Sequence, residues 1–574
     1  MIQPNNPTTK ERHSMLREVL RSENRIYDFG NIISALNPPP NITKIANAGD
    51  FKNIKIGIIG AGLAGLSSAV ELRKLGYDIT IFEATDRIGG RVYTHYFDST
   101  NNMYGELGAM RIPVSHETTW HYINKFNLPT RPFIQSNKDG LIYVKNLRTR
   151  NTKENIMKYI YPLFDLTPDE KITPYSHFAF KAFGKKLLSI PPKNRVELLL
   201  SLQKYYEKIL FYDALNIRQS YEIENISQGA IDMIQSISPL ERSLFYHNLI
   251  EPLNEEYSAA FSVLYEINGG LHRLPEKLYN ALKTYDKSFY GNISKDSLGN
   301  VKLLFNSRVN GIYYDNKKGI ISYFDKHSTL NHQKFDFIIC AIPFSSLRNI
   351  NLCPIFSNIK MQSIREVEYP NLQKTAIYCN YRFWESNIPY GGIIGGGSST
   401  DLPISTIWYP SDHSKCINVP IKPTYEFLFS SPLDTWVLKK DCSPYEKGVL
   451  IGSYNGTLDS TRLGNLTPTL RDYNIKRQLE EVHGLPYKYL DNIVIDMKTI
   501  TWNTEDPYLG GVAYYYPEQK RLFSYGMTLP EYNNKLFFAG EHISSVHGWM
   551  QGALQTGMLA ANSIASQSNK IYKQ

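Results

Sequence analysis

The sequence predicts an α/β fold of several domains, and three observations predict it. Between Ile54 and Arg91 a short apolar run is followed by Gly60, Gly62 and Gly65 in G-x-G-x-x-G spacing. A helical pattern and a second apolar run then end at Glu83. Buried-strand runs return much later, at Phe335–Pro343 and around Leu536–Ala539. Between the returns the texture changes, from helical periodicity over 116–260 to short aromatic-rich β-like runs over 344–494.

The first stretch dictates a Rossmann-like βαβ unit. Ile54–Ile59 reads as a buried parallel strand. Gly60 allows the tight strand-to-helix turn, and Gly62 lets a pyrophosphate approach the backbone. Gly65 lets helix and strand pack closely, so that the helix N-terminus faces the phosphates. The second strand, Asp78–Phe82, delivers Glu83 eighteen residues after Gly65, placed to accept hydrogen bonds from ribose hydroxyls. Strand, glycines, helix, strand and acid together specify a dinucleotide site; a lone G-x-G-x-x-G would also fit any glycine-rich turn.

Length and composition set the frame. The chain has 574 residues, enough for two to four domains, with 42% hydrophobic and 20% charged residues, an ordinary globular balance. The net charge of +9 comes from 63 basic and 54 acidic residues without a long run of either sign. This argues for a basic surface and against nucleic-acid binding. An electropositive funnel for anionic substrates remains open. The five cysteines, Cys340, Cys353, Cys379, Cys416 and Cys442, contain no C-x-x-C pair and read as free thiols in a reducing compartment. No metal site is expected. No apolar leader is seen, and no stretch approaches the ~18 apolar residues of a membrane span. A cytoplasmic protein without membrane contact is therefore expected.

In chain order, residues 1–50 are a polar leader with a short helix at Thr9–Leu20 and a break at Pro38-Pro39-Pro40; it either wraps a neighbouring domain or lies loose. The nucleotide domain is expected from 51–115, 262–343 and 495–566, a helical subdomain from 116–261, and a substrate-binding domain from 344–494. Within the helical part, Thr118–Phe126, Arg195–Leu210 and Leu240–Leu249 carry the pattern. Near its end lie Glu251, Glu255 and Glu256. A solvated acidic face is the ordinary reading; the alternative is that one of them meets the cationic side chain of lysine or arginine. Val301–Phe305 and Arg308–Tyr314 read as strands.

Arg87-Ile-Gly-Gly-Arg91, just past Glu83, resembles the extended FAD signature of the flavin amine oxidase superfamily. A second close backbone approach at Gly90 and the charge of Arg91 fit a pyrophosphate. Tyr104-Gly-Glu-Leu-Gly-Ala-Met-Arg-Ile-Pro113 is similar to the L-amino-acid oxidase branch, as are Asn268-Gly-Gly-Leu-His-Arg-Leu-Pro275, Leu536-Phe-Phe-Ala-Gly-Glu-His542 and Gly548-Trp-Met-Gln-Gly-Ala553. The resemblance runs from about Ile54 to Ala565 and is weak in the helical insert.

It implies bound FAD contacted by Gly60, Gly62, Leu63, Ala64, Gly65, Glu83, Ala84, Gly90, Arg91, Gly108, Ala109, Met110, Arg111, Val309, Trp502, Gly540, Glu541, Gly548, Trp549 and Met550. Arg111 would also bind the substrate α-carboxylate, as a planar guanidinium does bidentately; a structural salt bridge is the alternative. Tyr409 would share the carboxylate, or else pack in a core. Lys374, in Leu-Gln-Lys-Thr-Ala-Ile-Tyr, would hold a water against flavin N5, or else be an exposed lysine. Gly548 and Trp549 would hold the substrate amine, and the helix beginning there would favour the anionic reduced flavin. His547 is either a base or structural. Val512 stands where monoamine oxidases carry a flavin-linking cysteine, and Ala513 replaces a tyrosine of their aromatic cage, so non-covalent FAD is implied. The implied reaction is oxidation of an L-α-amino acid to the 2-oxo acid, ammonia and hydrogen peroxide, in a homodimer or higher homo-oligomer. An amino-acid 2-monooxygenase giving an amide, and a non-catalytic FAD-binding partner protein, remain open.

Overall fold

The computed structural model describes residues 2–417 and 436–572. Its centre is a five-stranded parallel sheet. In spatial order the strands are Val301–Leu304, Asp78–Phe82, Lys55–Ile59, Phe337–Cys340 and Leu536–Phe538. Ile56 sits between Ile79 and Phe337, so the apolar runs form adjacent buried strands. One face is covered by the helix Leu63–Lys74 and the C-terminal helix Met550–Tyr572. These approach closely because Gly557 has no side chain: a Cβ there would lie 2.4 Å from the Ala64 carbonyl oxygen. The other face is covered by a four-stranded sheet, Leu330–Phe335, Gly319–Phe324, Arg308–Tyr314 and Asn351–Cys353. Its Ile321 and Phe335 fill the space above Gly57. Strand boundaries expected at 301–305 and 335–343 fall at 301–304 and 337–340, since each run continues into a turn.

A seven-stranded mixed sheet forms the second layer system. Its order is Val494–Thr501, Leu372–Cys379, Gly448–Gly456, Thr406–Tyr409, Gly396–Thr400, Leu141–Val144 and Leu147–Arg150. The last two strands, and Thr130–Phe133 in a small three-stranded sheet, interrupt the early part of 116–261, and from Lys153 to Tyr257 helices follow one another, as the pattern predicts. Leu141–Val144 is a buried run, and Lys145 and Asn146 both take positive φ, closing a tight hairpin onto 147–150. Arg195–Leu210 also differs: helix ends at Leu199 and resumes at Glu207. Part of the expected substrate domain, 418–435, lies outside the described residues.

The leader is integral to the fold. Thr8 and Glu11 form a capping box for the helix Thr9–Ser22, which buries Met15, Leu16, Val19 and Leu20. Arg12 pairs with Glu117, and Gln551 and Gln555 of the C-terminal helix donate to the Leu36 and Ala35 carbonyls. Among the described residues, no helix is long and apolar enough to cross a membrane.

Candidate active site

A continuous cavity of about 520 Å³ runs from the glycine turn of the parallel sheet to the junction of the seven-stranded sheet with the helical subdomain. At the first end the wall is backbone. Gly60 turns the chain at φ +101°, a conformation only glycine adopts freely, and Gly62 caps the helix that follows. Gly62 and Gly89 form a parallel bridge, which brings Gly62 against Gly90. A Cβ on Gly62 would meet only the Gly90 Cα, at 3.9 Å. The space above these two glycines is thus bounded by main chain and open to a ligand.

Gly65 does not line the cavity. It backs onto the Gly60 carbonyl, where a Cβ would stand 2.0 Å from the oxygen. Its place is helix-to-strand packing, and direct cofactor contact is corrected for this residue. The other nineteen expected contacts all line the cavity. The Glu83 carboxylate is oriented by the Ala61 N–H at 2.9 Å and by the N–H and hydroxyl of Thr85. Glu541 is held more tightly: it accepts from Arg91 at 2.7 Å, from the Gly548 N–H at 2.9 Å and from the Ala513 N–H. Burial pushes its carboxyl up, but Arg91, the two neighbouring histidines and the Gly548 N–H outweigh this and hold it below the usual carboxylate range. Glu541 therefore ties three cavity-lining segments together, at 91, 511–513 and 548.

At the second end the wall is side chain. Arg111 lies between the rings of Phe261 (4.8 Å) and Trp408 (5.3 Å) and donates to Gln135 Oε1 at 2.8 Å. Among the described residues no carboxylate lies within ion-pair distance of it. Burial pulls its pKa down, against Tyr454 and Glu255, which pull it up. Lys374 is buried, not exposed. Its Nζ donates to the Gly108 carbonyl at 2.7 Å, sits 3.2 Å from Met110 Sδ and stands over the Tyr454 ring. Burial, then the Arg111 charge, lower its pKa to about 7, while Glu106 opposes.

Sheet register decides which aromatic groups join them. Lys374 pairs with Tyr454, and Tyr454 with Thr406, across three adjacent strands. Side chains alternate along a strand, so Thr406 and Trp408 face the cavity and Tyr409 faces away. Tyr409 is accordingly corrected: its hydroxyl bonds Ser398 (2.8 Å) and His483 (3.0 Å) inside the opposite core, among Ile377, Ile407 and Leu450. Tyr454 supplies the cavity phenol instead, and its hydroxyl has no partner among the described residues. Sequence reasoning missed Tyr454, Trp408, Phe261 and Gln135. The period-two alternation of Thr406-Ile-Trp-Tyr409 held the clue for Trp408; Tyr454 becomes visible only through pairing with Lys374.

Trp549 lines the same end, edge to His116 and tilted on Phe261, with its Nε1 donating to Glu255 at 3.1 Å. His547 is bonded through Nδ1 to Glu251 at 2.8 Å, and that buried pair raises its pKa against the effect of burial. Glu251 and Glu256 are buried, and Glu255 lines the cavity, so the solvated-face reading of these acids does not hold.

The comparisons with known proteins fall on this frame. The model of the flavin-containing amine oxidoreductase family matches residues 63–565. The chain belongs to that family. It is 26% identical over 520 residues to an L-amino-acid oxidase of Vipera ammodytes ammodytes, covering 89% of this chain and 93% of the relative. It is 27% identical over 523 residues to the L-amino-acid oxidase apoxin-1 of Crotalus atrox, covering 89% and 86%. Among solved structures it is similar to putrescine oxidase bound to putrescine (TM-score 0.64, 14% identity, 89% and 98% covered) and to cyclohexylamine oxidase from Brevibacterium oxydans IH-35A (0.63, 17%, 90% and 99%). These share the fold. The cofactor of this flavin amine oxidase family member is FAD, and the residues present fit it: a glycine-floored channel that a Cβ would obstruct, an oriented acid at Glu83 and an enclosed far end.

Proposed function

We propose that this flavin amine oxidase family member oxidises an L-α-amino acid to the 2-oxo acid, ammonia and hydrogen peroxide. The observation that carries the reading is Arg111: a guanidinium enclosed between two aromatic rings, facing the cavity, with a neutral amide as its side-chain hydrogen-bond partner. A half-buried cation with no counter-ion among the described residues pulls strongly on an anionic ligand, and a carboxylate is the anion that a guanidinium fork matches. The relatives named as L-amino-acid oxidases support the same substrate class.

The chain's part in the reaction follows from the site. Gly62 and Gly90 would hold the pyrophosphate of FAD, and Arg91 would supply charge to it. When bound, FAD would supply a two-electron acceptor for the hydride of the substrate Cα–H and a donor of those electrons to O2. Arg111 orients the substrate by its carboxylate, and Tyr454 donates a second hydrogen bond to it. The Trp549 ring and the Gly548 backbone wall the amine. Lys374 carries a proton below about pH 7 and releases it above, at an atom held by the Gly108 carbonyl. Phe261, Trp408 and Trp549 limit water around the reacting carbon. No cysteine lines the cavity among the described residues and Val512 does, which supports non-covalent FAD.

The test is to mix purified yellow protein anaerobically with L-amino acids, follow loss of flavin colour, admit air and weigh the product. The 2-oxo acid supports the reading. An amide one carbon shorter would assign a 2-monooxygenase, and an unbleached flavin with every amino acid would leave only a binding role.

A further inference from the structure

Beyond Arg111 the cavity wall carries the carboxylates of Glu255 and Glu241. Glu255, on the helix Ile250–Tyr257, accepts from Trp549 Nε1 through Oε1. Glu241, on the helix Pro239–Leu244, accepts from the Tyr221 hydroxyl at 2.6 Å. Both line the cavity, and neither has a cation within ion-pair distance among the described residues. Their neighbour Glu251 differs, since it is bonded to His547 and to the Tyr515 N–H.

A second observation points the same way. Tyr514 also lines this wall and is only 8% exposed. Its backbone is fixed by the Glu368 carbonyl and its ring lies edge-on to His247, yet its hydroxyl has no partner among the described residues. Burial, then Glu255, Glu251 and Glu241, push that hydroxyl well above the usual phenol range. The phenol and the carboxylates therefore face the same space.

We infer that Glu255, Glu241 and Tyr514 receive the cationic side chain of a basic L-amino acid whose α-carboxylate lies on Arg111. The inference rests on the amino-acid reading above and names its substrate class. Glu255 and Arg111 are too far apart for an ion pair, yet each shifts the other. A substrate charged at both ends bridges that separation. A neutral side chain would leave two enclosed carboxylates without a counter-ion among the described residues; burial, the largest cause, outweighs their hydrogen-bond donors and pushes both up to about 7. A primary ammonium or guanidinium also gives the Tyr514 oxygen a donor.

The experiment compares anaerobic bleaching of the holoenzyme by L-lysine, L-ornithine and L-arginine with bleaching by L-norleucine and L-methionine, neutral chains of similar length. At least one basic amino acid should exceed both neutral ones a hundredfold or more in kcat/KM. Glu255→Gln, which keeps an acceptor for Trp549, should cut the preference for the basic substrate over norleucine at least tenfold, and Glu241→Gln should cut it less. Norleucine as good as every basic substrate overturns this inference and leaves the amino-acid reading standing. An equal loss on both substrates in Glu255→Gln places that carboxylate at the α-amine and also overturns it. Bleaching by no L-amino acid overturns both. Should Glu255→Gln fail to fold or to hold flavin, the wild-type comparison still decides.

Discussion

The two ends of the cavity are built in different ways. At the dinucleotide end the wall is main chain: Gly62 faces Gly90, and helix meets strand through Gly65. At the substrate end the wall is side chain, gathered from the strands 372–379, 406–409 and 448–456, the helical subdomain and the C-terminal helix. The first design is local in sequence. The second depends on which residues a sheet sets side by side, and its specificity is correspondingly open to change.

The sharpest way to break this contrast is at the glycines. Gly62→Val should fold, because its Cβ meets only the Gly90 Cα, but should purify nearly free of FAD. Gly65→Val should fail earlier, in folding, because its Cβ would stand 2.0 Å from a carbonyl oxygen. Flavin absorbance per protein and a thermal melt separate the two. Stoichiometric FAD in Gly62→Val would mean the phosphate lies elsewhere.

At the other end, Arg111→Ala should keep FAD yet lose a factor of hundreds in kcat/KM on L-amino acids, about 3 kcal/mol or more for a buried charge-assisted pair. Near-normal kinetics with intact flavin content would return Arg111 to a structural role.

The tyrosines test the register argument. Tyr454→Phe should lower kcat/KM roughly tenfold, the order expected when one hydrogen bond to a charged group is lost. The thermal midpoint should barely move, since that hydroxyl bonds none of the described residues. Tyr409→Phe should do the reverse: kinetics unchanged, stability lower by about 1 kcal/mol as Ser398 and His483 lose a partner. Exchanged phenotypes would invert the assigned faces.

This pair also shows how much was legible beforehand. The strand–glycine–helix–strand–acid run specified its own geometry because every part lies within Ile54–Glu83 and each glycine has a steric reason. Arg111 and Glu541 were legible for the same reason: each sits in a short motif whose backbone positions it. Tyr409 was misassigned because a one-residue step reverses a strand's face, and the aromatic-rich Ile407–Tyr409 offers a candidate on each. Glu255 was legible only as the alternative to a solvated face, and Glu241 not at all, because burial of a helix face depends on its partner, and the Trp549 that meets Glu255 is remote in sequence. The strands at 130–150 are hidden because the tight turn that joins two of them, Lys145-Asn146, takes positive φ without a glycine to mark it.

The smallest effect concerns Lys374. Its pKa is lowered to about 7, so the ammonium is present below that value and lost as pH rises through it. A positive charge in a poorly hydrated site favours electron transfer to O2, which creates an anion. Recolouring of the substrate-bleached enzyme by oxygen should therefore slow as pH rises from 6 to 8. Lys374→Met should slow it about tenfold at pH 6, roughly 1.4 kcal/mol, with a flat profile and retained flavin. Unchanged stopped-flow traces would remove Lys374 from the oxygen step.

The central claim is that the side-chain end reads a carboxylate through Arg111. The most direct measurement pairs each reactive L-amino acid with the amine made by removing its carboxyl group, and records the rate of anaerobic flavin bleaching in the wild type and in Arg111→Ala. The amino acid should bleach the wild type at least a hundredfold faster than its amine, and the ratio should collapse towards one in the variant. Equal bleaching by the amine in the wild type would contradict the account.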